Sequence, residues 1–283
     1  MKSLILTDIH YQQNNPVSRK KLKDIMSIKD NINAVILCGD NAELSENESN
    51  HFFLFEGLRK RFDCPIGFVL GNHELWGKNI GIHSEELLNK LFLDLADKYN
   101  LTYLENENLV VENMTFIGTY GHYDYSFLKK GKGVTIEDLL RGAFKINDKQ
   151  IKWGDRFYMD WDGKTDKEVC EKLVKGFEQR ISKIEGRKIS ISHMIPRQSL
   201  NGYGNSLRGE FLTPYGGSKM LGDVLEKHGG EYHFCGHTHA QASVKIGKTT
   251  AINLGSDYNI LRYIISDSSK KYKTLRYYEI DYN

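Results

Sequence analysis

The feature that most constrains this chain is a set of short apolar runs, each followed directly by Asp, Asn or His. Leu4 to Thr7, Ala34 to Cys38 and Ile66 to Leu70 are such runs, separated by polar, helix-compatible segments around Arg19 to Asp30 and Glu46 to Phe62. This alternation predicts strands buried in a layered α/β fold. Leucines at helical spacing (Leu87, Leu88, Leu91, Leu95) predict an amphipathic helix over Ser84 to Asn100, with Ser84 as N-cap and Glu86 nearby. Met114 to Thr119 reads as another strand, a second long helix runs from about Lys167 to Glu185, and Lys188 to Ser192 and Tyr232 to Cys235 are further strands. Between Tyr120 and Thr165 aromatics, glycines and charges mix without a period, so 120–165 reads as an insertion or cap. Toward the end, Ala242 to Ile246 and Thr249 to Leu254 flank the turn Gly247-Lys248, and Arg262 to Ser266 and Thr274 to Asp281 flank a second polar turn. The C-terminal part therefore reads as mostly antiparallel β.

The 283 residues are read as one domain over 1–283, and 27% charged with 40% hydrophobic residues is the balance of a globular protein. The formal charge of +2 does not call for nucleic acid, which asks for a strongly basic patch. The basic runs Arg19-Lys20-Lys21, Lys129-Lys130 and Lys270-Lys271 read as solvated helix ends or turn tips. Cys38, Cys64, Cys170 and Cys235 have no paired spacing and are expected as reduced core residues. The first apolar run is far shorter than a signal peptide, and no stretch approaches the ~18 residues of a membrane helix, so a cytoplasmic location without membrane is expected.

The chemistry lies at the run ends. Asp8 and His10 follow the first strand, Asp40 the second, Asn72 and His73 the third, His193 a later one, and His237 and His239 the strand ending at Cys235. Ligands gather at the carboxyl ends of strands in α/β sheets, so five segments can converge on one site. Taken singly, a His at a strand end is more often a hydrogen-bonded structural residue. As a set, oxygen and imidazole donors without thiolates suit manganese, iron or zinc in a catalytic site.

These blocks, Asp8-Ile9-His10, Gly39-Asp40, Gly71-Asn72-His73-Glu74, His193 and Gly236-His237-Thr238-His239, resemble in content and order the pattern of the calcineurin-like metallophosphoesterases. The resemblance implies a four-layer αββα sandwich of two mixed sheets flanked by helices. It implies one metal held by Asp8, His10 and His239, another by Asn72, His193 and His237, and Asp40 bridging them. A phosphate mono- or diester would be hydrolysed by a water or hydroxide bridging two divalent ions, with manganese favoured over iron and zinc. His73 would face the leaving group, and Glu43, at the spacing where related phosphatases carry a carboxylate, would orient it. Leu44 stands where protein serine/threonine phosphatases have Arg, which argues against that substrate class.

His122 and Tyr123 follow a strand and are candidates for the substrate pocket, with a packed aromatic corner as the alternative. Arg197 and Arg208, in the glycine-rich stretch from Arg197 to Gly217, are candidates for a substrate phosphate or a dimer contact. Trp153, Arg156, Tyr158 and Trp161 read as a cap wall or as the insertion's own small core. A nuclease using the same centre, or a non-catalytic metal-binding scaffold, are the competing functions. The substrate and the oligomeric state stay open from sequence.

Overall fold

Leu4 and Leu6 on one side and Ile5 on the other, Val35 and Leu37 against Ile36 and Cys38, and Phe68 against Val69 alternate between two separate cores. A strand apolar on both faces must be covered on both. The computed structural model, which describes residues 1–44, 49–129, 133–267 and 274–282, meets this with two six-stranded mixed sheets packed face to face and helices on the outer faces. In the first sheet, strands Lys2–Leu6, Ala34–Cys38, Ile66–Val69 and Thr102–Tyr103 run parallel, and Ile260–Asp267 and Thr274–Asp281 extend it antiparallel from Lys2–Leu6. In the second, Met114–Thr119, Arg187–Ser192, Tyr232–Cys235 and Thr249–Asn253 run parallel, with Leu109–Val111 and Ala242–Ile246 antiparallel at the edges. Ile5, Ile36, Val69, Phe116, Ile191 and Phe234 fill the space between the sheets.

Helix Pro16–Met26 starts where Asn15 accepts from the N–H groups of Val17 and Ser18, with Pro16 needing no donor at the first position. Together with Ser49–Arg61 it covers the first sheet, packing Leu22, Ile25, Leu54, Phe55 and Leu58 onto it. The sequence-expected helix from Glu46 begins in residues 45–48, which lie outside the described residues. Helix Asp166–Ile181 opens on a Thr165–Glu168 capping box and turns Cys170, Val174, Phe177 and Ile181 onto the second sheet.

Several expectations need correction. Ser84 is no N-cap: His83 precedes the helix at 84–99, and the Ser84 hydroxyl donates to Leu75 O at 2.7 Å. A π-helical turn over Leu87–Leu91 interrupts that helix. The C-terminal part is mostly antiparallel as expected, its two hairpins joining different sheets, with Thr249–Asn253 also pairing parallel with Tyr232–Cys235. Segment 120–165 has structure of its own, a helix Ile136–Arg141, a hairpin Ala143–Ile146 and Lys149–Lys152, and a turn of helix Asp155–Tyr158. Cys64 is only half-buried, unlike the other three cysteines. In the first basic run Arg19 and Lys20 are exposed, but Lys21 is buried and its ammonium donates to the carbonyls of Ile9 and Asp257. Lys130, Lys270 and Lys271 of the other runs lie outside the described residues. Among the described residues no helix is long and apolar enough to cross a membrane.

Ile36, fully buried between the sheets, gives a test of this core. Ile36→Ala is expected to lower unfolding stability by about 2–5 kcal/mol, read as a lower urea midpoint at an unchanged slope.

Candidate metal centre

At the common edge of the two sheets the chain turns sharply just beyond the strands. Asp8, His10, Asp40, His237 and His239 all have left-handed backbones, with φ of 49, 48, 47, 68 and 52°. Such conformations cost about 1–3 kcal/mol each and persist where the surroundings fix them. Here the loops hold one another: His10 N–H donates to Asp40 O at 2.9 Å, His73 N–H to Asp40 Oδ1 at 3.0 Å, and His237 N–H to Asp8 Oδ1 at 2.9 Å. Two glycines of the ligand blocks are required by contact. A Cβ on Gly71 would stand 2.0 Å from Asp40 Oδ1, and one on Gly236 would stand 2.2 Å from Asp8 Oδ2.

All seven sequence-proposed ligands meet here. Asp8, His10, Asp40 and His239 form one group of convergent donors, and Asp40, His193 and His237 another. Asp40 Oδ2 belongs to both, 3.6 Å from His10 Nε2 and 3.3 Å from His193 Nε2. Asn72 Oδ1 joins the second group, 3.0 Å from His193 Nε2 and 3.0 Å from His237 Nδ1.

Hydrogen bonds at the far side of the rings set the tautomers. His10 Nδ1–H donates to Glu43 at 2.8 Å, His193 Nδ1–H to Cys38 O at 3.1 Å, and His237 Nε2–H to Tyr215 O at 3.1 Å. The opposite nitrogens thereby point inward, where His10 Nε2 faces His239 Nε2 at 3.3 Å and His193 Nε2 faces His237 Nδ1 at 3.2 Å. Nitrogens that face one another this closely beside carboxylates are satisfied by a shared proton or by a cation between them. A nitrogen and oxygen set of this kind fits borderline to hard divalent ions, and the outward hydrogen bonds are those that orient ligating histidines.

The electrostatics agree. Burial alone would lower His193 and His73, but Asp40, with further help from Asp8 and Glu43 respectively, raises each to about 9. Burial would raise Asp40, yet His193, His73 and His10 hold it well below the carboxylate range. Burial also opposes ionisation of Glu43, but its bonds to His10 and His73 bring it down to about 2. His237 is driven well down by burial and the neighbouring His193, so it offers a free lone pair.

Glu43 does more than the expected pairing. Its Oε2 accepts from His73 Nδ1–H at 2.7 Å while Oε1 takes His10, so one carboxylate orients a ligand and the proposed acid together. Trp76 lies against the His73 ring at 3.8 Å, and Tyr258, 47% exposed, stacks on His10 at 4.2 Å. Sequence reasoning missed three contributors. Glu74 was quoted in its block without a role, yet its buried carboxylate accepts from the N–H groups of Asp40, Asn41, Ala42 and Gly71 at 2.6–3.0 Å. Tyr258 and Asp155, which accepts from Asn72 Nδ2 at 2.9 Å, carried no sequence signal.

The softer substrate candidates fare differently. His122 and Tyr123 are fully buried, His122 between Asp166 at 2.9 Å and Tyr120 OH at 3.1 Å, so they form the aromatic corner rather than a pocket wall. The guanidinium of Arg197 is engaged by Asp223 and Glu226, both at 3.0 Å, and is not free for a phosphate. Arg208 is exposed, close enough to Tyr203 to oppose the upward push on its phenol from burial and from Asp155, Asp8 and Asp40.

Comparison with known proteins follows the same line. A family model described as calcineurin-like phosphoesterase matches residues 1–241. The chain belongs to that family. Among solved structures, phosphopantetheinyl hydrolase from Mycobacterium tuberculosis is similar with a TM-score of 0.69 at 18% identity, covering 91% of this chain and 89% of that one. A 5'-nucleotidase from Candida albicans has a TM-score of 0.43 at 15% identity, covering 100% of this chain and 52% of that one. At 18% identity the likeness to the hydrolase is one of fold. No curated protein matches by sequence.

Two predictions follow from the charges. His193 and His73 are raised from 6.5 to about 9 in the metal-free fold, so their stabilisation is fully present below pH 6.5 and lost as pH rises through about 9. Metal must displace the His193 proton. The melting temperature of metal-free protein should fall from pH 6.5 to 9.5 while the gain on adding manganese grows; a gain that shrinks with rising pH would contradict this reading. Glu43→Gln offers one acceptor to two N–H donors. It should lower kcat or metal affinity roughly 10- to 100-fold, with melting close to wild type, and unchanged kinetics would remove Glu43 from the site.

Proposed function

We propose that the chain is a dinuclear metal-dependent hydrolase of phosphate esters. The observation that carries this is Asp40, whose single Oδ2 atom serves both donor groups while its other oxygen is held by His73 N–H. Asp8, His10 and His239 would hold one divalent ion, Asn72, His193 and His237 the other, and Asp40 both. Bound there, the ions, manganese first, supply Lewis-acid charge and a lowered pKa for a shared water.

The chain's own residues would do the rest. Protonated at neutral pH, His73 can give a proton to the departing oxygen. Glu43 holds its Nδ1–H, leaving Nε2–H, 3.9 Å from Asp40 Oδ2, toward the reacting side. Trp76 backs the ring and limits its rotation. Arg208, exposed and near Tyr203, is proposed to attract a phosphate. Family membership supports hydrolysis of phosphate esters, and specificity resides in the loops around the centre. The phosphopantetheinyl hydrolase of similar fold adds a phosphopantetheine ester to the candidate substrates. A single domain over 1–283 with 120–165 as an insertion is part of this proposal.

The test is hydrolysis of p-nitrophenyl phosphate, bis-p-nitrophenyl phosphate and an alkyl phosphate by metal-stripped protein reloaded with manganese. Asp40→Asn should lose turnover on all three. His73→Asn should lose about 10²–10⁴ on the alkyl ester and much less on p-nitrophenyl esters, whose leaving group needs no proton. Equal losses on both classes would remove the general-acid role. Two bound ions with no turnover of any ester would sink the hydrolase assignment.

A further inference from the structure

An asparagine side chain can serve a cation only through its oxygen, and the choice between its two orientations is set by what the amide nitrogen finds. Asn72 presents Oδ1 to His193 and His237, and its Nδ2 donates to Asp155 Oδ1 at 2.9 Å. Asp155 comes from segment 120–165, more than eighty positions further along the chain, at the first turn of Asp155–Tyr158. The same Oδ1 accepts from Trp76 Nε1 at 2.7 Å, so one buried carboxylate oxygen fixes both the amide of Asn72 and the indole that backs His73. Its other oxygen is buried without a hydrogen-bond partner. Burying a carboxylate on such terms is expensive unless its bonds are needed.

A second observation points the same way. Trp153, two residues before Asp155, stacks on Tyr215 at 4.8 Å, and the Tyr215 carbonyl fixes the tautomer of His237. Trp153 also meets the His237 ring edge-on at 5.6 Å. Gly154 between them leaves no spare room, because a Cβ there would stand 3.0 Å from the Trp76 ring. One short stretch of the insertion thus braces two of the residues in the second donor group.

We propose that Asp155 is a positioning residue that turns the Asn72 oxygen toward the second metal position, so that this half of the centre is incomplete without the insertion. The inference rests on the reading of Asn72, His193 and His237 as ligands of one ion. It concerns metal affinity and can be measured without turnover.

The experiment titrates the metal-stripped full chain with manganese by calorimetry, with bound metal counted after dialysis, for wild type, Asp155→Ala and Asp155→Asn. Wild type should take up two ions. Asp155→Ala should keep one and bind the other roughly 10- to 100-fold more weakly. Asp155→Asn, which retains an acceptor oxygen at the Oδ1 position, should restore wild-type affinity. Asp155→Ser, too short to reach Asn72, makes the same comparison if the alanine variant does not fold. Wild-type affinity for both ions in Asp155→Ala, or equal weakness in the alanine and asparagine variants, would overturn the positioning role. Fewer than two ions in wild type would overturn the dinuclear reading, and this inference with it.

Discussion

The candidate centre depends on one buried carboxylate that touches neither donor group's inner face. Glu74 gathers the N–H groups of Asp40, Asn41, Ala42 and Gly71. These groups belong to two loops at the ends of neighbouring strands, and each would otherwise be a buried, unpaired donor. Collected on one anion, they fix the spacing between Asp40 and the Asn72-His73 turn. The glycine at position 71 then lets Asp40 lie against the backbone where any side chain would collide. Ligand positions separated by more than thirty residues are thereby set by backbone hydrogen bonds, with the side chains free to face inward.

Charge organises the next shell. The buried carboxylate of Asp40 draws positive charge to the site and raises both His193 and His73 in the metal-free fold. Glu43, bonded to His10 and His73 at once, keeps both rings upright. Because His10 and His73 share this carboxylate, a change at either ring is felt by the other through a single side chain. Lys21 adds a mechanical link, tying the loop before His10 to the loop that carries Tyr258.

Much of this was legible in the sequence because the fold is built from repeated strand ends. Apolar runs alternating with helix-compatible segments announced buried strands of a layered α/β fold, and Asp8, Asp40, Asn72, His193 and His237 stand where those runs stop. Their convergence follows from all the parallel strands presenting carboxyl ends to one edge. What could not be read is what depends on contacts across the fold. Asp155 is an ordinary residue of a patternless stretch until folding sets it beside Asn72. The hairpin around Asn147-Asp148 escaped notice because its strands are only four residues each and Lys149–Lys152 is largely exposed, though both turn residues adopt the positive φ that tight hairpins use. His122 and Tyr123 looked like pocket residues because they follow a strand as the ligands do, but Asp166 and the surrounding aromatics draw them into the interior.

The order of donors along the chain has a consequence for how the molecule matures. His10 faces a histidine 229 positions further along the chain, and Asp40 is grouped with His193 and His237, which lie far downstream of it. The first strand likewise finds its antiparallel partner in Ile260–Asp267. Domains acquire contacts of this range late, after the chain connecting them is available. Both donor groups are therefore complete only once the long-range contacts of the fold are made. An ion held by either donor group would tie together segments that lie far apart along the chain.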